Sequence, residues 1–177
     1  MRSLRSFALF LSRPVAIDSF VRSAAIPLVM LLASAAPANT VPFDVTNLVT
    51  DDQSANTAQT TDPSLVNAWG ISYAPTGPFW VSDNGTGVTT LYSADPVSTA
   101  TTNLGLSVSI PGNGTITGQT FNAGSGGGAF NGDPFVFVSE DGTISGWRGA
   151  LGTSAEVLQL GSDTNVYKGT TTAIVSG

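Results

Sequence analysis

The chain has no cysteine and no histidine, and only six of its 177 residues are lysine or arginine. Without cysteine there is no disulfide framework and no thiolate zinc site. Without histidine there is no imidazole general base, no imidazole metal ligand and no Ser-His-Asp triad. Catalysis by these residues would fall to carboxylates, Lys168, tyrosines or hydroxyls, with or without a hard metal ion. The few basic residues are also unevenly placed. Arg2, Arg5, Arg13 and Arg22 sit at the start, and beyond them only Arg148 and Lys168 face eleven Asp and Glu. That acidic remainder opposes attraction to nucleic acid, whose phosphates demand a basic surface. Charged residues make up 10% of the chain while glycine alone numbers 20, a turn-rich composition suited to β structure rather than to disorder.

The first forty residues read as an address. Arginines lead into an apolar run from Ala24 to Ala36, followed by small residues at Ala33-Ser34-Ala35 and Ala36-Pro37-Ala38. This is the order of a secretory signal peptide over residues 1–38, cut after Ala35 or Ala38. The run is shorter than the roughly 20 residues of a spanning helix, so no stable membrane span is expected after cleavage. An uncleaved N-terminal anchor is the alternative. The expected location is secreted, periplasmic or extracellular, with residues 39–177 as one domain.

The rest alternates between short apolar runs and turn signals. Val41–Thr50 reads as a strand, and 51–67 as an exposed connection with a helical turn at Pro63–Val66. Strands are then expected at "AWGISY", "FWVSD", "VTTLYSA", "LGLSVSI", "TITGQTF", "PFVFVSE", "TISGW" and "AEVLQL", with a last one beginning in "VYKGTTTAIVSG". The glycine run at 124–128 reads as a floppy surface loop; it lacks the lysine and the strand-to-helix setting of a phosphate loop. Period-two alternation with turns every eight to twelve residues indicates an all-β chain.

The chain also repeats itself. Val81-Ser82-Asp83-Asn84-Gly85-Thr86 lies over Val138-Ser139-Glu140-Asp141-Gly142-Thr143, and Gly70, Gly118 and Gly169 recur about fifty residues apart. A period near that length with about four strands per unit is the pattern of β-propeller blades. The expected fold is therefore an incomplete β-propeller of two to three four-stranded blades. Asn84-Gly85 and Asp141-Gly142 suit hairpin turns of the type with positive φ at both central residues. A functional reading of the same turns makes Asp83, Asn84, Glu140 and Asp141 oxygen ligands for Ca²⁺ at one end of the propeller. Trp69, Trp80 and Trp147 read as core or inter-blade packing rather than as a sugar-stacking platform.

The stretches "TDPSLVNAWGISYAPTGPFWVSDNGTGVTTLY", "FNGDPFVFVSEDGTISGWRGALGTSAEVL" and "VYKG" resemble an uncharacterised family of exported bacterial proteins, some with a PEP-CTERM sorting tail. The resemblance spans about residues 44–170. It implies a propeller of the NHL or SMP-30-like kind and carries over no catalytic residues. Family members are longer, so it also implies that this chain is truncated inside a third blade. A piece of two to three blades leaves sheet faces unpaired, for which a homodimer is one remedy. The leading expectation is a non-enzymatic binding or scaffolding module of the envelope or extracellular space, with a protein or glycan as partner. The alternatives are a metal-dependent SMP-30-like hydrolase or lactonase, and a non-functional truncated product.

Overall fold

The computed structural model describes residues 44–175. The chain divides into two units, Met1–Pro42 and Phe43–Gly177, and the described residues all lie in the second. The signal peptide expected over 1–38 lies outside the described residues, as do residues 41–43 of the first expected strand.

Ten strands form. β1 (Val49–Thr50) and β2 (Thr60–Thr61) make a small parallel pair. β3 (Ala68–Tyr73), β4 (Phe79–Asp83), β5 (Val88–Ala94) and β6 (Thr101–Ser109) form the first antiparallel sheet, in chain order. β7 (Ile116–Phe121), β8 (Phe135–Ser139), β9 (Ile144–Trp147) and β10 (Glu156–Gln159) repeat that order in a second sheet. Neither sheet closes on itself. Among the described residues there is no α-helix, and no helix is long and apolar enough to cross a membrane.

The period-two pattern decides which face of each sheet is buried. Trp80 and Leu91 project from the first sheet toward the second, where Phe135 and Phe137 meet them. The Trp80 ring stacks on Phe135 at a centroid distance of 4.2 Å and lies 4.8 Å from Trp147. Val108, Ile110 and Ile116 complete this core. Trp80 and Trp147 thus pack between the sheets as expected. Trp69 does not: it is 46% exposed. The register of β3 slips between Ala68 and Ile71, which takes Trp69 out of the alternation.

The recurring glycines have a steric cause. A Cβ placed on Gly70 would lie 2.7 Å from the Thr117 carbonyl oxygen of β7, and one on Gly118 would lie 2.7 Å from the Gly169 Cα. β3 therefore lies backbone to backbone against β7, and β7 against the 165–175 segment. The strand expected from Val166 onward does not form; residues 165–175 carry no strand. They still run along β7. The Thr117 hydroxyl donates to the Tyr167 carbonyl at 2.7 Å, and the Thr172 hydroxyl donates to the Phe121 carbonyl at 2.9 Å. Side chains make these bonds in place of a strand ladder.

Four further expectations are corrected. Of the strand expected over Val41–Thr50, the described residues 44–50 yield only the two residues of β1. Most of this segment instead satisfies its polar groups by bonds such as Asn47 Nδ2 to the Thr57 carbonyl, 3.1 Å. The glycine run is wound into a 3₁₀ turn at Ser125–Gly127, and Ala129–Gly132 follows with Phe130 and Asn131 in left-handed backbone conformations (φ 52° and 57°). Asn122 anchors it by donating to the Ala129 and Asp133 carbonyls at 3.0 and 2.9 Å. The hairpin turns also differ from expectation, since neither Asn84, Gly85 nor Asp141 has positive φ. The β4–β5 turn takes four residues and reverses at Gly87 (φ 70°); at the β8–β9 turn the Ser139 amide donates to the Thr143 carbonyl at 3.0 Å, which leaves three residues, 140–142, reversing at Gly142 (φ 81°). The second is the three-residue hairpin with a single left-handed glycine. Finally, the repeat is offset by one at its turn. Ala68 pairs with Asp83 and Ile116 with Ser139, so Asp83 corresponds to Ser139 and not to Glu140. The longer first turn absorbs the difference.

Candidate functional site

The four residues expected to hold a cation lie at one end of the two sheets. The β4–β5 turn, the 111–115 connection and the β8–β9 turn touch in sequence there. Asn84 Nδ2 donates to the Ile116 carbonyl at 3.0 Å, and the Asn113 amide donates to Asp141 Oδ2 at 2.7 Å. The four residues do not converge. Asp83 is fully buried within the first sheet. The Asn84 amide is engaged on both sides, its oxygen accepting from Asn67 Nδ2 at 3.0 Å. Burial opposes ionisation of Asp141, but the Thr143 and Asn113 amides outweigh it and hold the carboxyl below its usual range. Glu140 pairs with Lys168, whose ammonium lies 5.5 Å above the centre of the Trp69 ring. Among the described residues no group of three or more acidic side chains is gathered to hold a metal. Glu140 and Asp141 do share a polar cleft of about 440 Å³ with Asp163 and Asn165.

Asp83 belongs instead to a buried chain of oxygens. Thr90 Oγ1 lies 2.8 Å from Asp83 Oδ2 and 2.9 Å from the Tyr92 hydroxyl oxygen. The Tyr92 hydroxyl donates to Asp62 Oδ2 at 2.5 Å. Asp62 accepts two further bonds, from Asn103 Nδ2 at 2.7 Å and from the Ser64 amide at 2.9 Å. Thr90 has one proton and two oxygen neighbours. If Asp83 is ionised, Thr90 donates to it, and the Thr90–Tyr92 contact holds no proton, because the phenol proton lies on Asp62. If Asp83 is protonated, the donors run in one direction: Asp83 to Thr90 to Tyr92 to Asp62. Burial acts the same way and pushes the Asp83 carboxyl up to about 7; the Thr90 hydroxyl opposes this and the charge of Asp62 adds to it. Burial and the bond to Asp62 also push the Tyr92 phenol up. The second Asp83 oxygen has no protein partner.

A second polar group ties the sheets together. Gln119, buried on β7, donates from Nε2 to the carbonyls of Gly70 and Trp80 at 2.9 and 2.5 Å. Its Oε1 accepts from Thr89 at 3.3 Å. At the far end Asp133 is buried, and burial pushes its carboxyl up against the pull of Arg148. Arg148 bridges Asp133 and Glu156 at 2.8 and 2.5 Å. Gly146 is required beside it, because a Cβ there would collide with the Asp133 carboxylate.

Sequence reasoning missed Asp62, Tyr92, Gln119 and Asp133. Asp62-Pro63 and Asp133-Pro134 share a signal, since proline holds the preceding residue extended. Asp95-Pro96 has the same dipeptide, yet Asp95 is exposed and caps its own turn through the Val97 and Ser98 amides. The dipeptide alone therefore does not mark burial.

The outer face of the first sheet carries a cavity of about 520 Å³. Ile71, Phe79, Val81 and Tyr92 form its floor, and Leu48 and Val49 of the covering segment form its wall. Beside it Ile71 and Tyr73 are 63% and 59% exposed. In comparison with known proteins, no family model, no curated sequence and no solved structure matches this chain.

Proposed function

We propose that the chain is an exported, non-enzymatic binding or scaffolding module built as part of a β-propeller. One observation carries the propeller reading. The glycine contact that lays β3 on β7 is repeated where Gly118 meets Gly169, at the propeller period. The arginine-led apolar run and the small residues that follow support export. A partly exposed Trp69 beside Asn67, Glu140 and Lys168 suits a protein or glycan partner. The absence of histidine and the engagement of Glu140 and Asp141 in internal bonds favour binding over hydrolysis.

The test of the module reading is an assay of the full chain for lactone and ester hydrolysis with Ca²⁺, Mn²⁺ or Zn²⁺ in excess. Background turnover is expected. Metal-dependent turnover that Glu140→Ala abolishes would establish the metal-dependent hydrolase instead. For export, mass spectrometry of the secreted product should find a new N-terminus after Ala35 or Ala38; retention of Met1 would refute cleavage.

A further inference from the structure

Asparagine followed by glycine occurs three times in the chain, at Asn84-Gly85, Asn113-Gly114 and Asn131-Gly132. This dipeptide can react with itself. Glycine has no side chain to shield its nitrogen, which can therefore approach the carbonyl carbon of the preceding side-chain amide. The reaction needs a side-chain amide that is not held, a following nitrogen that is not already donating, and a backbone able to turn. The sites differ in these respects. Asn84 is held at both ends of its amide, accepting from Asn67 Nδ2 at 3.0 Å and donating to the Ile116 carbonyl at 3.0 Å. The Gly85 nitrogen already donates to the Val66 carbonyl at 2.9 Å. Asn131 donates from Nδ2 to Glu156 at 3.1 Å, and Glu156 is itself fixed by Arg148.

Asn113 meets every requirement. It is exposed on the 111–115 connection, outside the strands. Its one hydrogen bond among the described residues is made by its main-chain amide, to Asp141 Oδ2 at 2.7 Å, which leaves the side chain unheld. The Gly114 nitrogen donates to nothing among the described residues. Gly112 and Gly114 flank the site at φ 102° and 71°, so the main chain can turn there with little strain. We propose that Asn113 is a self-modification site: in the folded chain it deamidates through a succinimide, while Asn84 and Asn131 are protected. The Gly114 nitrogen attacks the Asn113 side-chain carbonyl carbon. A C–N bond forms, the attacking nitrogen gives up its proton, and the side-chain nitrogen leaves as ammonia. Solvent water then opens the ring at one carbonyl or the other, giving aspartate or isoaspartate. Either product replaces a neutral amide by a carboxyl group in the cleft that Asn113 shares with Glu140, Asp141 and Asp163. The new charge is set against Asp141, the acceptor that ties this connection to the β8–β9 turn. Isoaspartate also adds a methylene to the main chain between β6 and β7.

The test is incubation of the full chain in mildly alkaline buffer, with a parallel sample in denaturant. Both are then digested, and mass spectrometry with fragmentation that separates aspartate from isoaspartate follows each site. In denaturant the three Asn-Gly sites should react at rates within about tenfold of one another, since the folded contacts that distinguish them are gone. In the folded chain Asn113 should keep its denatured rate to within about tenfold, while Asn84 and Asn131 fall further below theirs, because they react only when the structure opens locally. Asn113→Gln keeps the amide but lengthens the side chain by a methylene, which disfavours ring closure, and should remove the mass gain from that peptide. Retention of Asn113 as firmly as Asn84 in the folded chain would overturn the proposal, as would earlier reaction at Asn84 or Asn131. A mass gain that persists in Asn113→Gln would place the reaction on another residue and overturn it as well.

Discussion

At the scale of single residues, the buried Asp83 makes stability depend on pH in a direction opposite to that of most carboxylates. Its folded-state pKa of about 7 lies above the ordinary 3.8, so the folded chain binds the proton more tightly than the unfolded chain does. The contribution is fully present below about pH 4, is lost as pH rises through about 7, and is level above that. Calorimetry across this range should show the thermal midpoint falling as pH rises. Asp83→Asn, which keeps a neutral donor toward Thr90, should flatten that fall; an unchanged slope would place the titrating group elsewhere. Gln119 makes a second prediction at this scale. Gln119→Leu leaves the Gly70 and Trp80 carbonyls without their side-chain donor and should cost about 1–3 kcal/mol in denaturant unfolding.

At the scale of elements, the glycines sort by what surrounds them. Gly142 has φ 81°, and a Cβ on it would come within 2.9 Å of the Ser162 nitrogen. Gly142→Ala should destabilise by about 1–3 kcal/mol, from left-handed backbone strain and overpacking together. A Cβ on Gly126 would meet nothing within 4 Å, and its φ is not positive, so Gly126→Ala should stay within about 0.5 kcal/mol of the parent. Thermal denaturation of the pair checks both. Strand positions were legible because the signal is local: β3 to β10 all fall at alternating or continuous apolar runs bounded by turn residues. The turns were legible in place but not in type. "NGTG" and "EDGT" both announce a reversal, yet which glycine goes left-handed depends on how many residues the register leaves for the loop.

At the scale of the whole molecule, protection is concentrated where the sheets meet. Amide exchange should be slowest in β7 and β8, whose residues are nearly all buried, and fastest in 162–175 and around β1 and β2. Uniform exchange across the two sheets would contradict a core placed between them.

The sequence by itself determined the all-β class, the strand order, the fifty-residue repeat and the chemistry that is closed to this chain. Those properties rest on composition, alternation and backbone sterics, which act over a few residues. The tertiary structure alone decided which aspartates are buried. Asp62 and Asp83 are separated along the chain and reach one oxygen chain through Tyr92 and Thr90, a contact that needs β4 and β5 in register and the 62–64 turn folded beneath them. It alone separated Trp80, seated between sheets, from Trp69, left at the surface, because a slip in the β3 register takes Trp69 out of the alternation.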